Sequence, residues 1–148
     1  MFTLSELAAF LADNDCDFEI IAHSSPIIST KDAVKYFDLD KAAPTYILKT
    51  EKGLIALVVS SGRGRLDFSA MKEKWGFSKM KLADLAEVRE NTGYHVGAIP
   101  LIGHNLPLIF DKKLLDFDYV YGGSGDALHT LKIAPRDIVR FNRTVTFI

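Results

Sequence analysis

The sequence predicts an α+β fold, a mixed sheet flanked by helices. Three observations carry that prediction. Helical and strand patterns interleave along the chain without the strict βαβ alternation of a parallel fold. Residues 46–50 and 54–60 read as two strands joined at Glu51-Lys52-Gly53, a hairpin with glycine at the tight position. The stretch 54–59 is apolar on both faces, the pattern of a central strand covered from both sides.

The first helix starts at Thr3, which forms a capping box with Glu6, and Phe2 and Leu7 fit a hydrophobic staple. Leu4, Leu7, Ala8 and Leu11 then recur at helical spacing. Residues 18–22 read as a strand. Ser29-Thr30-Lys31-Asp32 caps a second helix, with Ala33, Val34 and Phe37 on its inner face. Asp67 caps a helix running to Trp75, and a further helix over 83–92 closes on Gly93. Strands are predicted over 108–110, 119–122 and 129–133, and Pro135 opens a last short helix. No repeat or low-complexity linker interrupts the 148 residues, which predicts one domain.

Composition excludes several classes. Hydrophobic residues at 48% and charged residues at 25% are globular values, not those of a disordered chain. Eighteen basic against 19 acidic side chains leave a net charge of −1, which excludes a non-specific duplex binder. No apolar run reaches the roughly 20 residues of a membrane helix, and residues 1–13, with Glu6 and no basic lead-in, do not read as a secretory signal. The one cysteine, Cys16, suits a reducing compartment, and its acidic neighbours disfavour thiolate. A cytoplasmic protein without membrane or specific DNA contacts is the expectation.

The chemistry is expected in two glycine loops. Residues 92–103, Thr-Gly-Tyr-His-Val-Gly-Ala-Ile-Pro-Leu-Ile-Gly, follow a helix and hold three glycines and a proline before the next strand. Glycines allow close backbone approach and positive φ, so their amides can face a ligand. Gly122-Gly123-Ser124-Gly125-Asp126 follows a strand and is placed as the opposite wall. Neither is a dinucleotide-binding or Walker loop. His23, His95, His104 and His129 lie at spacings unrelated to a zinc site, and no serine sits in a nucleophile elbow. His23 ends a strand beside the hairpin start and is a candidate pocket residue; His95 and His104 are expected at the surface. Asp111 reads as an N-cap and Asp126 as a turn residue.

Thr-Gly-x-x-x-Gly-Ala-Ile-Pro-x-x-Gly at 92–103 resembles the signature loop of the YbaK/EbsC-type aminoacyl-tRNA deacylases. That group includes free-standing editing proteins and the editing insertion of bacterial prolyl-tRNA synthetases. The resemblance runs along nearly the whole chain, through Ser29-Thr30, Arg65-Leu66-Asp67, residues 79–83, residues 108–111 before Leu114-Leu115, and Ile133-Ala134-Pro135. It implies a barrel-like mixed, largely antiparallel sheet wrapped by helices, and hydrolysis of mischarged aminoacyl-tRNA without a metal or organic cofactor. The implied partners are the aminoacylated 3′ end of tRNA and an aminoacyl-tRNA synthetase.

By the same resemblance, backbone amides at Gly97 and Ala98 orient the aminoacyl carbonyl and stabilise its oxyanion. His23, Thr45, Ile99, Pro100, Leu101, Gly123, Ser124 and Gly125 would line the substrate site. The family's Lys-Thr pattern at the first hairpin strand is Pro44-Thr45 here, so Pro44 occupies the lysine position. Lys49, five residues on, points to the opposite face of a regular strand. The family's later proline falls at Leu101, with Pro100 one residue early. Arg63, Arg65, Lys79 and Lys81, with Lys72 and Lys74, concentrate positive charge and are the expected tRNA contacts. Three readings stay open: a deacylase acting in trans, a non-catalytic binder of tRNA or an aminoacyl ligand favoured by Pro44, and an interaction module that kept only the architecture.

Overall fold

The structure, a computed structural model, describes residues 1–27 and 30–148. Helix α1 (Leu4–Asp13) begins as the capping box requires. Thr3 Oγ1 accepts from Glu6 N at 3.2 Å, and Thr3 N donates to Glu6 Oε1 at 3.0 Å. Strand β1 (Phe18–Ala22) follows. The Ser29 cap of the second helix lies outside the described residues. That helix, α2 (Thr30–Ala33), is one turn long, so its inner face is shorter than expected. Ala33 is buried, Val34 points outward, and Phe37 stacks on Tyr121 at 4.9 Å.

The hairpin is β2 (Thr45–Thr50) and β3 (Gly53–Val58). Thr50 pairs with Gly53, so the loop is Glu51-Lys52 and Gly53, at φ +110°, opens β3. Helix α3 (Phe68–Trp75) is capped by Asp67, which accepts from Ala70 N at 3.0 Å. Strand β4 (Met80–Leu82) precedes α4 (Leu85–Thr92). After β5 (Pro107–Phe110), Asp111 caps a short 3-10 turn, as expected. Strands β6 (Val120–Gly123) and β7 (His129–Ile133), helix α5 (Pro135–Arg140) and strand β8 (Arg143–Phe147) complete the described chain.

These elements form two sheets rather than one barrel. The antiparallel three-stranded sheet runs β1-β7-β6, and the five-stranded sheet runs β4-β2-β3-β5-β8. In the larger sheet β4, β2 and β3 pair antiparallel, whereas β3, β5 and β8 pair parallel. The α+β class holds, but neither sheet closes on itself. The smaller sheet is tied through β6 to the loops that lead into β2 and β5, where Ala43 N donates to Tyr121 O at 2.7 Å and Leu101 N donates to Gly123 O at 2.9 Å. Strands β4 and β8 were not expected. Three residues are too few to show a period, but the β-branched run in β8 was readable.

The centrality of β3 follows from its sequence. Ala56 and Val58 belong to the larger core with Leu7 and Leu11 of α1, Phe110 of β5, and Leu131 of β7. Ile55, Leu57 and Val59 face the second core, against Phe68, Met71 and Trp75 on the α3 side. Burying a side chain such as Leu57 contributes about 1.5–3 kcal/mol. Among the described residues no helix is long and apolar enough to cross a membrane.

Candidate functional site

The signature loop is held at its start and open at its turn. Gly93, in the left-handed region at φ +81°, donates to Arg89 O at 2.8 Å and ends α4. The buried Tyr94 hydroxyl takes Phe2 N at 2.8 Å and donates to Phe2 O at 3.0 Å, tying the loop to the start of the chain. Ala98 N then donates to His95 O at 3.1 Å, closing a tight turn over His95, Val96, Gly97 and Ala98. Gly97 in that turn has φ +90°, is exposed, and a Cβ there would meet nothing within 4 Å. Among the described residues no acceptor takes the Gly97 N–H. The Ala98 amide, expected beside it as an oxyanion donor, is instead spent on the turn.

Ile99, Pro100 and Leu101 are buried, and the Ile99 and Leu101 side chains belong to the larger core. The second glycine loop does not stand opposite the first as a separate wall; it is fused to it. A Cβ on Gly123 would overlap Ile99 O, one on Gly122 would lie 2.6 Å from Leu101 Cδ1, and one on Gly125 2.8 Å from the Tyr94 ring. Ser124 Oγ is enclosed by its own loop, 2.7 Å from His129 O, and accepts from Asp126 N at 3.2 Å. Asp126 accepts from Leu128 N at 2.8 Å, the expected turn role. These glycines let two backbones touch.

Pro44 ends the crossing from one sheet to the other. Its carbonyl accepts from Val59 N at 3.2 Å, and its neighbour Ala43 binds Tyr121. Thr45 Oγ1 is enclosed and has no partner among the described residues. Lys49 is committed elsewhere, in a 2.7 Å ion pair with Glu87, and does not replace a cation at Pro44. The His23 ring sits 4.4 Å from the Tyr36 ring, with Nε2 2.8 Å from Thr130 Oγ1. Burial, and then nearby His129, hold the His23 imidazole below its usual range. Thr130 pairs across the ladder with Gly123, so His23 reaches the glycine loops through it. Tyr121 and Tyr94 were not singled out from the sequence, though the Tyr119-x-Tyr121-x-Gly123 alternation marks the first.

The basic cluster divides. Arg63 pairs with the fully buried Asp111 at 3.1 Å. Asp111 also accepts from Ser60 N at 2.9 Å, Ser60 Oγ at 2.8 Å and Lys113 N at 3.0 Å. Burial alone would raise the Asp111 carboxyl, but the bonds from Ser60 and Lys113, and then the Arg63 charge, hold it below the carboxylate range. Arg63 is therefore structural, while Arg65 is exposed. Lys79 and Lys81 are exposed on or beside β4, which pairs with the Leu48–Thr50 end of β2. At about 3.4 Å per residue that end lies roughly 17 Å along β2 from Pro44.

His95 is exposed as expected, with Arg89 Nη1 2.6 Å from its Nε2. His104 is not at the surface: it is 2% exposed, its Nδ1 accepts from Leu106 N at 3.0 Å, and burial lowers its pKa to about 4. The Cys16 thiol is raised chiefly by burial and then by Asp137, with Asp15 a smaller influence than the local acidic run suggested. Two surface cavities, of about 360 and 380 Å³, are lined by none of the sequence-predicted site residues.

The sequence profile of the aminoacyl-tRNA editing domain matches residues 25–141. Among solved structures, a protein of unassigned function is 27% identical with a TM-score of 0.81, covering 95% of this chain and 96% of its own. A candidate trans-editing enzyme for prolyl-tRNA synthetase is 21% identical with a TM-score of 0.79, covering 99% and 96%. A candidate signal transduction protein from Marinobacter aquaeolei VT8 is 15% identical with a TM-score of 0.68, and this chain matches 30% of it. Comparison with curated protein sequences returned no match.

Proposed function

The chain belongs to the aminoacyl-tRNA editing domain family, and on that premise we propose that it is a free-standing cytoplasmic deacylase that hydrolyses the ester of a mischarged tRNA in trans. One observation carries the reading: Gly97, at the family's loop, is exposed, with an unclaimed N–H and open space at its Cβ position. Such a donor suits a carbonyl oxygen that becomes an oxyanion.

In the reaction, water adds to the ester carbonyl carbon and the electron pair moves onto the carbonyl oxygen, where the Gly97 N–H meets it. The tetrahedral centre then expels the ribose oxygen, which takes the proton given up by the water, with the neighbouring ribose hydroxyl as the relay. The products are a free amino acid and tRNA. Pro44, Thr45, His23 and Gly123 border the substrate, while Ala98, Ile99, Pro100, Leu101, Ser124 and Gly125 hold the loops in place. An aminoacyl-tRNA synthetase is the protein partner this role calls for.

Pro44 favours a second reading, a binder of the same ligand that lacks turnover. A panel of mischarged tRNAs decides between them. Release of amino acid from at least one, above the spontaneous rate, is the expected result. Binding of tRNA with no release from any would establish the second reading instead.

A further inference from the structure

We propose that the outer face of the three-stranded sheet is the track for the single-stranded 3′ end of tRNA, with its cytosine bases on Tyr119 and Tyr121 and its terminal adenosine toward Gly123. The inference rests on the tRNA substrate proposed above and assigns the surface that receives it.

Side chains alternate along a strand. Val120 points into the core, so Tyr119, Tyr121 and Gly123 share the other face. Lys132 pairs with Tyr121 across the ladder, and Thr130 pairs with Gly123. Lys41 Nζ lies 4.2 Å and Lys132 Nζ 4.0 Å from the Tyr119 ring centre. Tyr119 meets Tyr121 edge-on at 5.6 Å, and Phe37 stacks on Tyr121 at 4.9 Å. Part-exposed aromatics on a sheet face, flanked by lysines, are what splayed-out single-stranded bases stack on. A base stacks more strongly than an exposed ammonium sits on a ring, so the lysines are free to turn to the phosphates.

The strip has a direction. Gly123 adjoins the signature loop at Ile99, and Tyr121 O holds Ala43 beside Pro44. The terminal adenosine therefore belongs at the Gly123 end, with the cytidines on Tyr121 and Tyr119. Beyond Tyr119 the strip runs into the cavity of about 380 Å³ that Asp17, Glu19, Asp118, Lys132 and Arg136 help to line. Glu19 is 3.9 Å from Lys132, too loose to neutralise it. These carboxylates oppose phosphate but suit base edges. Cytosine and adenine present amino groups that a carboxylate accepts, and uracil presents none. Every tRNA ends in cytidine, cytidine, adenosine.

The test measures binding of the full chain to a labelled, uncharged oligoribonucleotide ending ACCA, and to one of equal length ending AUUU. The parent should prefer the first. Tyr119→Ala should weaken it roughly tenfold, with Tyr119→Phe retaining affinity. Lys41→Gln with Lys132→Gln should flatten the salt dependence. Lys79→Gln with Lys81→Gln should leave this short ligand unaffected. Equal affinity of Tyr119→Ala and parent in proteins of equal melting temperature overturns the track. So does equal affinity for the two ends, or no binding by the parent. A parent that binds the ACCA end but deacylates nothing removes the hydrolase and leaves the track. One that deacylates unchanged after Tyr119→Ala does the reverse.

Discussion

Gly123 and Ile99 touch backbone to backbone. A Cβ on Gly123 would overlap the Ile99 carbonyl oxygen, and the Gly123 carbonyl accepts from Leu101 N at 2.9 Å. This contact joins the two glycine loops at one place. It makes Gly123 a packing glycine, whereas Gly97, with open space at its Cβ position, is free to meet a ligand.

Gly123→Ala should therefore act on stability first. The Ile99 carbonyl is backbone and cannot swing aside, so the loops must part. A cost of about 1–3 kcal/mol is expected from such overpacking, a fall of roughly 3–10 °C in melting temperature. A thermal melt matching the parent would show that the loops are not joined this way.

Gly97→Val should show the opposite balance. The added side chain enters solvent, so the protein should fold cooperatively, with about 1–3 kcal/mol of local strain from the positive φ. Deacylation should drop about a hundredfold, the cost of losing an oxyanion donor, because the side chain bars the substrate carbonyl from the N–H that valine still carries. Single-turnover rates on a mischarged tRNA check this; an unimpaired rate would remove Gly97 from the chemistry.

Arg63→Ala and Arg65→Ala should separate cleanly. Arg63→Ala leaves the buried Asp111 carboxylate short of a charge partner and should cost about 1–3 kcal/mol. Arg65→Ala should leave stability alone and reduce the salt slope of tRNA binding by about one. Because the Asp111 pKa is lowered on folding, its contribution is present above the unfolded carboxyl value near 4 and lost as pH falls through the folded value. Asp111→Asn should flatten acid denaturation in that range, measured by denaturant melts across pH.

His104 governs a higher pH window. Its folded pKa of about 4 lies below the unfolded value near 6.5, so the folded protein binds fewer protons. Stability should be complete above about pH 6.5 and decline as pH falls toward 4, by about 3 kcal/mol in all. His104→Asn, which keeps an acceptor for Leu106 N, should remove most of that slope. A variant with the parent's slope would assign the window to another group.

Pro44→Lys should raise deacylation of at least one mischarged tRNA, by roughly tenfold to a hundredfold if the ammonium group meets the substrate away from water. The backbone contact it must preserve is the bond from Val59 N to the residue 44 carbonyl, which any residue supplies. Parent and variant rates compared on one panel, with matched melts, give the answer. A fast parent and no gain would place catalysis on the loops and the ribose hydroxyl.

What the sequence determined by itself is local. Thr3 with Glu6, Asp67 and Gly93 mark helix ends through bonds made within a few residues, Pro135 marks one through its fixed φ and missing N–H, and the structure has all four. The two-sided apolarity of residues 54–59 placed β3 at the centre, because a strand covered on both faces has no polar side to show. The signature loop was also legible, from its three glycines and its resemblance to a known family's loop, and Gly97 in it has a positive φ. Tertiary structure decided the rest, because close approach depends on partners far along the chain. Nothing near Gly123 announces Ile99, nothing near Arg63 announces Asp111, and nothing in the loop around His104 says that it is buried. Glycine and arginine read alike in sequence whether or not another part of the same chain waits for them; the fold packs Gly123 on Ile99 and pairs Arg63 with Asp111, and it leaves Gly97 exposed with open space beside it.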